Sequence, residues 1–228
     1  MNQIDWLTRF AARRGVLGPA EFWSLLASAY TSPDRAYHTL DHLRELCQWF
    51  ARVEDGPGWT RPQQVLLAVL FHDAVYVPSR HDNEKRSAEL AHNEITRIGP
   101  RLLAGAVQRG AQPALDRDQI LSWARRVVYL IELTGRHGSQ ATTVLDVDAA
   151  HFVDADMAIL AAPRDRFREY DEQIAREYAP YIPVTLFQLG RKRFFQHLLH
   201  SEHIYQSEFF RARCEARARI NLRRAVAE

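Results

Sequence analysis

The sequence predicts an all-α protein of one domain, and three observations carry that prediction. Apolar residues recur at the three- and four-residue spacing of a helix face through nearly the whole chain. No Val- or Ile-rich segment alternates like a strand between hairpin signals. Glycines and prolines fall where one such stretch stops and the next begins. With 228 residues, 46% of them hydrophobic, the chain can bury a sizeable core and lies near the upper size of a single domain.

Ile4, Trp6, Leu7 and Phe10 form the apolar face of a first helix, expected to end near Gly15. Pro19 and Glu21 open a second, with Phe22, Leu25, Leu26 and Tyr30 inward. After the turn Ser32-Pro33-Asp34, a third helix is expected from about Arg35 to Val53. It carries Tyr37, His38, Leu40, His42, Leu43, Leu46, Cys47 and Phe50. The Gly/Pro loop from Glu54 to Trp59 precedes Val65-Leu66-Leu67-Ala68-Val69-Leu70. That run has no polar face and reads as a buried helix. A polar loop, Val77 to Asp82, leads into a helix over Asn83 to Ile98, which Gly99-Pro100 is expected to end. A short helix around Leu102 to Val107 and a loop holding Pro113 come next. Asp118 can cap a helix over Ile120 to Leu133. Gly135 to Ser139 is a break. Val144 to Ala161, Arg166 to Tyr178, Leu186 to Leu199 and Ile204 to Ala227 complete the series, and no repeat or low-complexity segment interrupts it.

The net charge of +2 gives no general argument for nucleic acid or an anionic membrane as partner. Lys85 and Lys192 are the only lysines, so the positive charge is almost all arginine. Two cysteines do not make a disulfide framework. Cys47 sits at core spacing with Leu43, Leu46 and Phe50, and Cys214 lies in a charged helix, as suits a reducing cytoplasm. Met1 to Phe10 has no signal-peptide character, and no apolar run approaches the ~20 residues of a membrane span. A cytoplasmic location is expected.

The chemistry centres on Phe71-His72-Asp73-Ala74-Val75-Tyr76. An imidazole and a carboxylate stand side by side at the end of the most apolar helix, where burial is costly unless a partner satisfies them. A divalent cation is the simplest partner, since His supplies nitrogen and Asp supplies oxygen. His38 and His42, one turn apart on the expected third helix, can share its face. His42 either binds directly or orients another ligand. A further ligand should come from a distant helix, and Asp154 and Asp156 lie unusually close to Phe152, Val153, Ile159 and Leu160.

These residues together carry a resemblance. His38, His72-Asp73 and Asp154 resemble the H…HD…D signature of the HD superfamily of metal-dependent phosphohydrolases. Arg35-x-Tyr37-His38-x-x-x-His42-Leu43, Asp82-Asn83-Glu84-x-x-Ser87-Ala88 and Phe152-x-Asp154-Ala155-Asp156-Met157-Ala158-Ile159-Leu160 are similar to the motifs of one branch, that of the predicted metal-dependent HD-superfamily phosphohydrolases. So are Thr134-x-x-His137, Ile174-x-Arg176-Glu177-Tyr178 and Glu215-x-x-Ala218-Arg219-x-Asn221-Leu222. The resemblance implies a helical bundle of the HD type, with a metal-site core over about residues 30–161 and C-terminal helices, 164–227, packing on it. It implies His38, His72, Asp73 and Asp154 as ligands of a divalent ion (Mn, Co, Mg, Ni, Zn or Fe). Asp154 is preferred to Asp156 because the first acid of the Asp-x-Asp aligns with the last ligand.

The implied activity is hydrolysis of a nucleotide or other small phosphorylated metabolite by metal-activated water. Glu84 is the candidate general acid or base, with Asp82 behind it; both also suit a helix start. Ser87, Arg35, Arg176 and Arg191 are candidates for holding substrate. His137, before His92, is the candidate for a second ion, and His81, His151, His197, His200 and His203 are read as surface or packing residues. Two other readings stand beside hydrolysis. One is a mixed-valent di-iron oxygenase on the same fold, which needs His92 or His137 as a ligand. The other is a metal-stabilised nucleotide-binding module without turnover. The partners expected are a small phosphorylated substrate and no membrane.

Overall fold

The computed structural model of the chain describes residues 3–102, 116–135 and 144–227. Among these residues every regular element is helical and none is a strand. No helix among them is long and apolar enough to cross a membrane. Packing divides the chain into two compact units, Met1–Gly135 and Arg136–Glu228.

The first unit holds α1 (Asp5–Arg13), α2 (Ala20–Tyr30), α3 (Leu40–Glu54), α4 (Pro62–Phe71), α5 (Asn83–Leu102) and α6 (Arg117–Thr134). α4 packs against α3, α5 and α6, which explains its lack of a polar face. Val65 to Phe71 are all buried. At ~1.5–3 kcal/mol for each large apolar side chain removed from water, α4 is the firmest frame in the unit, and the His72-Asp73 pair hangs from its end.

α5 and α6 run antiparallel, with Gly99 against Ile120 at one end and Gly135 against Glu84 at the other. A Cβ at position 99 would stand 2.8 Å from Ile120 Cγ2. Gly99 therefore serves a close approach of helices, and α5 continues through it to Leu102 instead of ending there as expected. α1 lies alongside α3 in the same direction. The Arg44 guanidinium covers Trp6, Phe10 meets Phe50 edge-on, and Arg14 pairs with Glu54 at 2.6 Å.

Two helix starts differ from expectation for local reasons. α3 begins at Leu40, where the Thr39 hydroxyl accepts the Asp41 N–H, and residues 35–38 are not helical. α6 is capped by Asp116 and not by Asp118. The Asp116 carboxylate accepts the Gln119 N–H at 2.8 Å, and the Gln119 side chain accepts the Asp116 N–H at 2.9 Å, a reciprocal cap. The short helix expected to about Val107, the Pro113 loop and most of the break after Gly135 lie outside the described residues.

In the second unit, α7 (Val147–Met157) starts from an Asp146 cap and tightens into a 3₁₀ turn, Ala158–Ala161. α8 (Arg164–Tyr178) and α9 (Val184–His200) follow. The C-terminal helix comprises α10 (Glu208–Phe210), a π-helical segment (Arg211–Glu215) and α11 (Ala216–Ala227). It starts at Glu208 and not near Ile204. The N–H groups of residues 204–207 are drawn to carboxylates: Glu215 accepts from Ile204 and Tyr205, and Asp154 from Gln206 and Ser207. Arg219 donates to the carbonyls of Leu199, Ser201 and Glu202, and Asn221 to those of Leu160 and Ala162. The motif from Glu215 to Leu222 thus pins loops to one helix.

Candidate metal centre

Four potential ligand atoms gather in the first unit. His72 and Asp73 sit on the turn that closes α4, His42 lies in the first turn of α3, and His38 lies just before that helix. His42 Nε2 and His72 Nε2 are 3.0 Å apart. Asp73 Oδ2 stands 2.9 Å from His72 Nε2, 3.4 Å from His42 Nε2 and 4.0 Å from His38 Nε2. Both His42 and His72 are buried.

The protonation of His72 follows from its other nitrogen. Nδ1 lies 3.0 Å from the Val69 carbonyl, which can only accept, so Nδ1 carries a hydrogen and Nε2 faces the cluster: protonated, it donates to Asp73; deprotonated, it offers its lone pair to a cation. Burial alone would raise the Asp73 carboxyl. The imidazoles of His72 and His38, with hydrogen bonds from His42 and His72, overcome that and hold it well below the usual carboxylate range.

The cluster meets a geometric test for a cation. Three atoms separated by 3.0, 3.4 and 2.9 Å lie on a circle of about 1.8 Å radius, smaller than a metal–nitrogen bond of ~2.0–2.1 Å, so one ion can reach all three. His42, His72 and Asp73 could therefore hold a metal ion, with His38 at the edge of the group.

The backbone beneath the ligands is tied down by residues from three segments. The Arg35 guanidinium donates to the carbonyls of His38 (2.9 Å), Asp73 (2.7 Å) and Ala74 (3.1 Å), and lies between the rings of Tyr30 and Tyr76. It joins the two ligand-bearing segments through three carbonyls, a positioning role and not the substrate contact the sequence suggests. The Asp73 N–H donates to the Tyr30 hydroxyl, and the Tyr76 ring lies on His38 with 3.9 Å between centroids.

The Asp82-Asn83-Glu84-x-x-Ser87 motif divides its labour. The Asn83 side chain accepts from the Val77 N–H and donates to the Val77 and Arg80 carbonyls. Ser87, fully buried, accepts from the Val75 N–H and donates to the Val75 carbonyl. Its hydroxyl holds the loop after the ligands and is not presented to a substrate. Asp82 forms a double contact with Arg80 at 2.6 Å, part-exposed at the start of α5, as suits a helix-start residue. Glu84 is different: its carboxylate lies against the Cα side of Gly135, where a Cβ would come within 3.2–3.3 Å.

The remaining expected site residues belong to the second unit. Both oxygens of Asp154 are engaged there: Oδ1 accepts the Gln206 N–H at 2.7 Å, and Oδ2 accepts the Ser207 N–H at 2.7 Å and its hydroxyl at 2.6 Å. Burial pushes this carboxyl up to about 6, against the pull of those donors. Asp154 is thus an anchor for the start of the C-terminal helix. Arg191 donates to Asp171 at 2.7 Å and rests on the rings of Tyr170 and Phe195, so it is packed and not free for phosphate. Arg176 is exposed in the last turn of α8. His137 lies outside the described residues. In the sequence Tyr30 reads as an inward-facing core residue and Asn83 as a motif position without a role; their contacts with the Asp73 and Val77 N–H groups come only from the fold.

Comparison with protein-family models, with curated proteins and with solved structures returns no match.

Proposed function

We propose that the chain is a metal-dependent phosphohydrolase of the HD type acting on a small phosphorylated metabolite. The observation that carries the reading is the convergence of His42 Nε2, His72 Nε2 and Asp73 Oδ2 within 3.4 Å, with His72 Nε2 turned toward the other two by the Val69 carbonyl. The ordered motif series in the sequence supports it independently. The ligand set proposed is His38, His42, His72 and Asp73. Asp154, which the resemblance implies as a ligand, has both carboxylate oxygens engaged by donors of its own unit.

A divalent cation in this set supplies Lewis acidity toward a phosphoryl oxygen and lowers the pKa of water toward ~7. The protein's own part is to hold the imidazoles in one tautomer, keep Asp73 ionised and fix the backbone of both ligand segments through Arg35. Glu84 is proposed as the carboxylate that moves a proton to or from the reacting oxygens.

The test combines metal analysis of the purified chain with phosphate release from p-nitrophenyl phosphate, its diester and nucleotides, in the presence of Mn, Co, Mg, Ni, Zn or Fe. The expected result is bound metal and turnover with at least one ion, both lost in Asp73→Ala. Glu84→Gln should keep its metal and turn over more slowly. A metal-loaded protein that releases phosphate from none of these substrates refutes the hydrolase reading, and unchanged metal content in Asp73→Ala refutes the ligand set.

A further inference from the structure

The first two turns of α9 leave large apolar side chains in water. Val184 is 65% exposed, Leu186 59% and Leu189 46%, and Tyr181, just before the helix, is 44% exposed. Further along, Phe195 and Leu198 are buried, and α9 packs against α11. Leu186, Leu189, Gly190 and Arg193 fall at i, i+3, i+4 and i+7. That spacing lines them up on one exposed stripe, on the side of the helix away from Phe195 and Leu198.

Gly190 is a second, independent observation. It lies inside the helix, where glycine is less favourable than alanine. Among the described residues nothing comes within 4 Å of the place a Cβ would take. The other close helix approach in this fold shows what such a residue does: a Cβ at Gly99 would stand 2.8 Å from Ile120, where α5 and α6 close on each other. At position 190 the same kind of notch opens on solvent, with leucines beside it.

The area matches an interface. At ~150–200 Å² for each residue when fully exposed, the four apolar side chains leave roughly 300–450 Å² in water, the size at which a patch on a monomer is often functional. A standard interface takes about 800 Å² from each partner, a little over half of it apolar, so this patch supplies most of one side's apolar share.

We propose that this face of α9 is a homodimer interface, with α9 packed antiparallel against α9 of a second copy. Knob and notch are neighbours on one helix, so the surface is complementary to itself, as a two-fold contact requires. An axis between positions 189 and 190 sets Leu189 over the partner's Gly190, and Leu186 against the aliphatic stem of the partner's Arg193. The two Arg193 charges then stand at opposite ends of the contact. The helix holds no acid, so no carboxylate is buried in it. This assignment does not rest on the hydrolase reading.

Sedimentation velocity of the full chain from about 1 to 100 µM tests it. The expected species is a dimer, of twice the 26.4 kDa of one chain. Leu186→Glu/Leu189→Glu should raise the dimer dissociation constant by at least about tenfold, as for the loss of buried interface anchors. Gly190→Leu fills the notch with a better helix former, so it should weaken the dimer to a similar extent while the circular dichroism of the monomer keeps its full helical signal. The proposal is overturned by a chain that stays monomeric across the range, or by unweakened dimerisation in either variant. It is also overturned by a monomer that binds phosphatidylserine vesicles and loses that binding in the double leucine variant, which would give this face to a membrane surface.

Discussion

Replacing Arg35 by lysine separates a positioning role from a substrate-binding one. The guanidinium bridges three carbonyls, those of His38, Asp73 and Ala74, at 2.7–3.1 Å. An ammonium is a point donor and cannot span them as a planar fork does. Two of the three bonds should be lost. Hydrogen bonds from a charged group are worth ~1.5–3 kcal/mol each, and partial recovery by lysine brings the expected loss to about 2–4 kcal/mol. For a chain of this length that lowers the melting temperature by about 5–12 °C. Both carbonyl partners nearest the site belong to His38 and Asp73, so metal affinity should fall by about 10–100-fold, as when other ligand-orienting contacts are removed. Thermal unfolding followed by circular dichroism, and metal titration against a competing chelator, give the two readouts. Arg35→Lys with wild-type melting and metal affinity but a raised KM for a phosphate ester would refute this reasoning and return Arg35 to the substrate.

Three further outcomes are expected. Asp154→Ala should lower stability, because the N–H groups of Gln206 and Ser207 lose their acceptor, while the folded fraction keeps its metal; loss of metal in that variant would restore Asp154 as a ligand. Burial pushes the Cys47 thiol up to about 12 despite nearby Arg14 and Arg44, and Cys214 is also buried, so iodoacetamide at pH 8 should modify neither before unfolding, as mass spectrometry would register. Burial lowers the pKa of His151, which packs near Phe209 and Phe210, so the ring is kept neutral in the fold. Its contribution is complete above the ordinary value of 6.5 and declines as pH falls below it, because the unfolded chain then binds the proton first. His151→Gln should flatten that part of the urea-stability profile, and an unchanged slope would count against it.

Much of the helical series could be read along the chain, because helix periodicity and apolar runs are local properties. The errors are local too, and each has a cause. Gly99 looks like a terminator but makes room for Ile120. The stretch before Leu40 has helical spacing, yet its His38 carbonyl is taken by Arg35. Residues 204–207 have apolar character, yet two carboxylates claim their N–H groups. In the site, His72 and Asp73 stood out because a titratable pair at the end of an apolar helix needs an explanation. Ser87 and Asp82 could not be told from substrate or acid–base residues, since a side chain's chemistry does not reveal which backbone group or arginine will occupy it.

The sequence by itself determined that the protein is helical and that a histidine and an aspartate terminate its most buried helix. Periodicity and hydrophobicity act over one or two turns, and both are written in neighbouring residues. Only the tertiary structure decided that His42 shares a space with them, that Arg35 locks their backbone, and that Asp154 is held by its own unit. Those assignments depend on partners 30 to 53 positions away. Over such separations folding, and not local pattern, chooses which donor meets which acceptor.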